Sequence, residues 1–194
     1  LSNLQEALNP PCELQKRGIS MKDVEMRLIA ELVKNSRRSD RELAKVLGIS
    51  QPTVTRVRRR LEKEGYLREY TVIPDFNKVG FQLAAFILVK MKTNLSAGEV
   101  EKARQISMKD MIEKAPDEIV LFERGMGEGY EGIIISFHKD FSDYVKIIER
   151  IREYPFVDAS ATLSFLLDLN DKFHYRYFTF STLAKYLLTM RKHA

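Results

Sequence analysis

Arg56, Arg58, Arg59 and Arg60 fall within five residues, after the stretch Ser50-Gln-Pro-Thr-Val-Thr and shortly before Gly65. Serine is a favoured helix N-cap and glycine a favoured terminator, so the segment reads as a short, strongly basic helix. Hydroxyl, amide and guanidinium groups at the start of such a helix are what the major groove of double-stranded DNA accepts. Gln51, Thr53, Thr55 and Arg56 are the expected base readers. Glutamine pairs bidentately with adenine and arginine with guanine, each good pair discriminating by about 1–3 kcal/mol. Arg59, Arg60 and Lys63 lie later, where phosphate contact is expected. Ser50, Arg37, Arg38, Arg41 and Arg68 would reach the DNA backbone from the turn, the second helix and the wing, positioning the protein without reading sequence. The competing reading confines the arginines to the helix surface, as Arg58–Glu62 and Arg60–Glu64 pairs of about 0.2–0.5 kcal/mol each. The direction of Arg58 stays open at this point.

The location of charge supports a polyanionic partner. The 194 residues carry a formal net charge of +5. Residues 21–70 hold 13 Lys/Arg against 8 Asp/Glu, whereas residues 71–194 hold 17 of each. The excess therefore lies around the arginine run, the footprint of a nucleic-acid binder. A hydrophobic content of 44% supplies at least one sizeable core. No apolar run approaches the roughly 18 residues of a membrane span, and no signal-peptide pattern is visible at the N-terminus. Cys12 is the only cysteine, which excludes an internal disulfide and fits a reducing, cytoplasmic setting.

These side chains need a scaffold. Residues 1–19, with Asn9-Pro10-Pro11, read as an N-terminal tail. Ser20 or Asp23 caps a first helix to about Lys34, with Val24, Leu28, Ile29 and Leu32 on one face. Ser39 and Glu42 form a capping box for a second helix that buries Leu43, Ala44 and Leu47 and stops at Gly48. Val54, Val57 and Leu61 form the core face of the third. Helix, glycine-bearing turn, helix is the helix-turn-helix spacing. Tyr66, Leu67, Tyr70, Val72 and Ile73 read as an extended wing strand. The expected domains are a winged helix-turn-helix over residues 20–74, a linker at 75–80, a second domain at 81–170 and a strand-helix extension at 171–194.

The second domain is expected to run strand Leu83 to Met91, helix Ser96 to Ala115, strand Ile119 to Phe122, strand Ile133 to Phe137, helix around Tyr144 to Ile151, and strand Thr162 to Leu169. Val100, Ala103, Met111 and Ile112 form the apolar side of the first of these helices. The order βαββαβ is the ferredoxin-like layout, so the fold class is α+β. In the extension, Phe173, Tyr175 and Tyr177 alternate as in a strand, with Phe178 and Phe180 on the opposite side. Leu183, Tyr186, Leu187 and Met190 mark a closing amphipathic helix.

The chain resembles the leucine-responsive regulator (Lrp/AsnC) family. The residues that carry the likeness are Arg41-Glu-Leu-Ala-Lys-Val-Leu-Gly-Ile-Ser50, Thr53-Val-Thr-Arg56, Arg60-Leu-Glu-Lys-Glu-Gly65 and Tyr70-Thr71. The resemblance covers residues 20–170 and implies a homodimeric transcription regulator, with a second domain that pairs subunits and senses a small metabolite. Two departures stand out. Arg58 occupies a position that is usually apolar in the family. The family's turn near its effector site is matched only by Gly129-Tyr-Glu-Gly132, preceded by extra glycines.

Gly125, Gly127, Gly129, Tyr130 and Glu131 are the candidate effector contacts, in a glycine-rich loop that also reads as a plain flexible hairpin. It is not a P-loop, because no Lys-Ser/Thr follows and no helix starts there. His138, His174 and His193 have no metal spacing, and neither catalytic set nor cofactor is expected. Two other functions compete: an architectural DNA-compacting protein, and an enzyme like the sirohaem decarboxylases, which resemble the same family in both halves. The latter favour histidine and basic residues where this chain has Glu123-Arg124.

Overall fold

The computed structural model describes residues 23–114, 116–173 and 176–190. Expectations for the 1–19 tail, Ser20, Ala115, His174, Tyr175 and His193, and for the side chains of Met111, Ile112 and Met190, lie outside the described residues. The chain divides into two compact units, residues 1–72 with 178–194 and residues 73–177.

The first unit contains α1 (Asp23–Lys34), α2 (Asp40–Leu47) and α3 (Gln51–Lys63). Leu28, Leu32, Leu43, Leu47, Val54, Val57 and Leu61 form its core. Full burial of such a side chain stabilises by about 1.5–3 kcal/mol. The capping box is present: Ser39 Oγ accepts from the Glu42 amide at 3.3 Å, and Glu42 Oε2 accepts from the Ser39 amide at 2.7 Å. Gly48 ends α2 at φ 69°, a left-handed conformation that favours glycine. Gly65, at φ 76°, ends α3. There the Tyr66 amide donates to Leu61 O at 2.9 Å and the Gly65 amide to Glu62 O at 3.1 Å, which is a Schellman motif.

Three features differ from the sequence expectation. Glu25 and Glu31 of α1 are buried beside its apolar face. Residues 67–75 form no strand: among the described residues the wing has no ladder partner, and its backbone is held by single bonds such as Ser36 Oγ to Thr71 O at 3.3 Å, which cannot build a sheet. Finally, α6 (Leu183–Met190) packs on α1 and so belongs to this unit. Ala30 of α1 and Ala184 of α6 are both fully buried, and neither lies in the α1–α3 core. Small side chains at these two positions let the helices approach closely.

The second unit is the expected ferredoxin-like βαββαβ domain: β1 (Leu83–Val89), α4 (Ala97–Lys114), β2 (Ile119–Gly127), β3 (Tyr130–His138), α5 (Phe141–Glu153) and β4 (Leu163–Asp168). The sheet order is β2-β3-β1-β4, with every neighbouring pair antiparallel. Ala85, Ile87, Val89 and Ile134 pack against Tyr144, Ile147, Ile148 and Ile151 of α5. Tyr154 donates to Asp110 Oδ2 at 3.2 Å and Arg150 to Lys114 O at 3.3 Å, joining α5 and its C-cap to α4.

The glycine-rich loop is not a loop. Gly125 and Gly127 lie in β2, Tyr130 and Glu131 in β3, and only Glu128 and Gly129 turn, at φ 49° and 78°. Two consecutive positive φ values suit a tight hairpin whose twist matches the flanking strands. The 75–80 linker is a packed turn: Phe76 stacks on Phe137 at 4.1 Å, and Asn77 donates to Leu169 O at 3.1 Å. The expected strand around Phe173 to Tyr177 is absent among the described residues, and Phe173 and Tyr177 are exposed.

Candidate nucleic-acid interface

An α-helix turns about 100° per residue, so residues three, four and seven apart share a face. With Val54, Val57 and Leu61 held in the core, the opposite side of α3 carries Pro52, Thr55, Arg56, Arg59 and Lys63. Ser50 caps the helix: its Oγ accepts from the Thr53 amide at 3.3 Å and lies 2.8 Å from Thr53 Oγ1. Pro52 sits in the first turn, where a missing amide proton removes no helical bond.

Gln51, Pro52, Thr55, Arg56 and Arg59 line one shallow, open depression of about 600 Å³. Three of the four expected base readers, and the first expected phosphate contact, therefore share one surface. Thr53 sits at its flank with the Ser50 hydroxyl. Arg56, Arg59, Lys63, Arg37, Arg41 and Arg68 make no ion pair among the described residues, and all six are exposed. Lys63 extends the row one turn beyond Arg59.

Other expected contacts are engaged elsewhere. Arg60 turns to the flank of α3 and pairs with the buried Glu25, with Glu64 at 3.7 Å on its other side. The hydrogen bond to Glu25 raises its already high pKa. Arg38 pairs with the buried Glu31, which also holds Lys34. Burial pushes the Glu31 carboxyl up, but the two cations outweigh it and the net shift is downward. Arg38 and Arg60 thus hold α1 to the rest of the domain.

Arg58 has a definite direction. Its guanidinium lies 2.8 Å from Asp40 Oδ1, donates to Arg38 O at 3.2 Å, and stands 5.8 Å from the centre of the Tyr70 ring. Asp40 also accepts from Thr55 Oγ1 at 2.6 Å. Glu62, expected beside Arg58, instead accepts from the Tyr70 hydroxyl at 2.7 Å. Burial, together with Glu62, pushes the Tyr70 pKa up to about 12. Sequence reasoning missed Asp40, Tyr70, Glu25 and Glu31. Apart from Lys34 on the same helix as Glu31, their partners are 7 to 35 residues away in the chain, outside the helix that carries each acid or the wing that carries Tyr70. The only signal was an acidic residue directly after the Ser39 cap.

The candidate effector contacts are strung along the β2–β3 hairpin. Glu131 Oε2 accepts from the Met91 amide at 2.8 Å, and the Lys90 ammonium stands 5.8 Å from the centre of the Tyr130 ring. His138 is fully buried at the end of β3, with Nε2 2.8 Å from Ser136 Oγ. Among the described residues no group of three or more His, Cys, Asp or Glu could hold a metal ion, and no helix is long and apolar enough to cross a membrane.

Helix-turn-helix geometry in the first unit and a ferredoxin-like second unit define a two-domain winged helix-turn-helix protein. Residues 21–68 match the winged helix-turn-helix DNA-binding family. An uncharacterised HTH-type transcriptional regulator of Pyrococcus furiosus is 32% identical over 108 residues, 56% of this chain and 66% of the relative. The matches span 46–66% of the length of the first curated relatives. An AsnC family transcriptional regulator from Agrobacterium tumefaciens superimposes with a TM-score of 0.62 at 17% identity, over 81% of this chain and 94% of that one. A transcriptional regulator from Neisseria meningitidis, solved as a complex with L-Met, does so with a TM-score of 0.66 at 18% identity, over 84% and 96%. Residues 21–68 are thus similar to winged helix-turn-helix DNA-binding domains, and the chain shares the fold of an AsnC family regulator over 81% of its length.

Proposed function

We propose that the protein is a dimeric, DNA-binding transcription regulator that reads the major groove with α3. One observation carries the reading: Gln51, Thr55, Arg56 and Arg59 share an open face of a capped helix whose other side is core. Gln51, Thr55 and Arg56 contact base edges. Arg59 and Lys63 contact phosphates, joined by Arg37, Arg41 and Arg68. Two copies place their α3 helices in successive major grooves, about 34 Å apart.

The dimer contact in this reading is the sheet surface remote from α5. Leu163, Phe165 and Leu167 on the edge strand β4 are 54%, 67% and 40% exposed. They continue across the sheet through the register pairs Leu88–Leu163, Phe86–Phe165 and Phe86–Ile135. Such a contiguous apolar surface suits association with a like surface.

A small-metabolite effector would bind near the end of the β2–β3 hairpin, where Lys90 and Tyr130 stand together. The L-Met complex of the Neisseria regulator supports looking there first. Titration calorimetry against the amino acids tests it, and the absence of any heat of binding overturns it.

The regulator reading is tested by selecting duplexes from a random library with the full chain, then measuring affinity against excess non-specific DNA. A recurrent near-palindromic site, preferred by 10³-fold or more, is expected. Equal affinity for selected and random duplexes would overturn sequence-specific regulation and favour an architectural role.

A further inference from the structure

Arg58 stands in the middle of the basic run, yet its surroundings set it apart from its neighbours. It is 20% exposed, and its partner Asp40 is 21% exposed. Its Nε is buried without a hydrogen-bond partner, while its terminal nitrogen serves both the Asp40 carboxylate and the Arg38 carbonyl. The Tyr70 ring stands beside the guanidinium, and the Tyr70 hydroxyl returns to α3 through Glu62. Asp40 Oδ2 in turn accepts a hydrogen bond from the hydroxyl of Thr55, which lies on the open face of α3. A closed network therefore ties the start of α2, two turns of α3 and the wing. Turning Arg58 toward a phosphate would break its pair and leave the Asp40 carboxylate close to polyanionic DNA.

We propose that Arg58 is a positioning residue. With Asp40, Thr55 and Tyr70 it fixes the rotation of α3 and the path of the wing, and it makes no contact with DNA. The proposal rests on the reading of α3 as the DNA-reading helix. It assigns a role to the one arginine of the run whose direction the sequence left open. It also predicts a specificity effect. The Thr55 hydroxyl has one proton, directed to Asp40 Oδ2 at 2.6 Å with Gln51 O at 3.2 Å as a second acceptor, so this residue offers the groove an acceptor oxygen and a methyl group, not a donor.

The test uses the full chain and a duplex selected by the wild-type protein, with affinity measured across a salt series. The variants are Arg58→Ala, Asp40→Asn, their double variant and Arg59→Ala. Each direct phosphate contact contributes about 0.9 to the slope of log affinity against log salt. Arg59→Ala should lower that slope by about 0.9, whereas Arg58→Ala should leave it unchanged while lowering affinity about tenfold. Asp40→Asn removes a negative charge and should nevertheless weaken binding several-fold. The double variant should be no weaker than Arg58→Ala.

A direct contact predicts the opposite: Asp40→Asn would free Arg58 and tighten binding, and Arg58→Ala would lower the slope as Arg59→Ala does. Either result overturns the positioning role. If Arg58→Ala fails to fold, Asp40→Asn, which is close to isosteric, decides the question by the sign of its effect. Unchanged binding in Arg59→Ala, together with an unchanged slope, would overturn the reading of α3 itself and the positioning role with it. A changed slope there, with a tightened Asp40→Asn, would overturn only the role of Arg58.

Discussion

His138 is buried on the inner end of β3, against Ser136 and edge-on to Tyr144, with ring centres 5.7 Å apart. Burial pushes its pKa below 6.5, against the opposing pull of Asp143, Glu118 and Asp140. A depressed folded pKa means that the unfolded chain binds the proton more readily. Stability is therefore full above about pH 6.5 and falls as pH drops from there through the folded value. We expect the melting temperature of the wild type to fall between pH 7 and pH 5, and His138→Phe to flatten that part of the profile. Calorimetry at a series of pH values checks both. A second residue-scale expectation concerns the cap of α2. Ser39→Ala removes the oxygen that accepts from the Glu42 amide and should destabilise the DNA-binding domain by about 1 kcal/mol in urea unfolding. At this scale the sequence was a good guide to caps and core faces, because both are set by neighbours within one helical turn. It was a poor guide to Arg38 and Arg60, because their partners Glu31 and Glu25 both sit on α1, whereas Arg38 lies in the following turn and Arg60 on α3.

At the scale of elements, the DNA-binding domain is assembled from both ends of the described chain. The pairing of α6 with α1 buries Ala30 and Ala184 completely. Leucine at position 30 would overfill that contact, so Ala30→Leu should cost about 1–3 kcal/mol in the DNA-binding domain. Hydrogen exchange resolved by segment checks it: protection should fall in α1 and α6 and persist in β1 and β3. Leu183, Tyr186 and Leu187 announced the helix α6 but not its packed face: Ala184 is fully buried, whereas Leu183 and Tyr186 are exposed. The wing and the Phe173–Tyr177 segment teach the converse lesson. Both have strand-like composition, and neither forms a strand among the described residues, because a strand is defined by its partner. The hairpin reading of the glycine stretch holds, with longer strands than expected: only Gly129 and its neighbour Glu128 need left-handed backbone, while Gly125 and Gly127 continue β2.

At the scale of the whole molecule, the proposed dimer rests on the apolar sheet surface. Phe165 is 67% exposed on an edge strand and pairs in register with Phe86. Phe165→Glu places a carboxylate in the middle of that surface. We expect the variant to sediment as a monomer, with the first unit intact by circular dichroism. Losing the second half-site contact removes the gain of tethered binding, so affinity for a two-half-site duplex should fall by 10²-fold or more. A variant that remains dimeric would move the interface elsewhere.

The sequence by itself determined the helix-turn-helix, its caps, the order of the second domain and the placing of excess charge near α3. Each follows from spacing along one element or from composition of one segment. Only the tertiary structure decided which arginines are available. Arg56, Arg59 and Lys63 face outward because the core claims the other side of α3. Arg58 and Arg60 are drawn aside by Asp40 and Glu25, carboxylates from other helices. A period along one helix sets which face a residue shares, whereas the partner that captures its charge is set by how the helices cross.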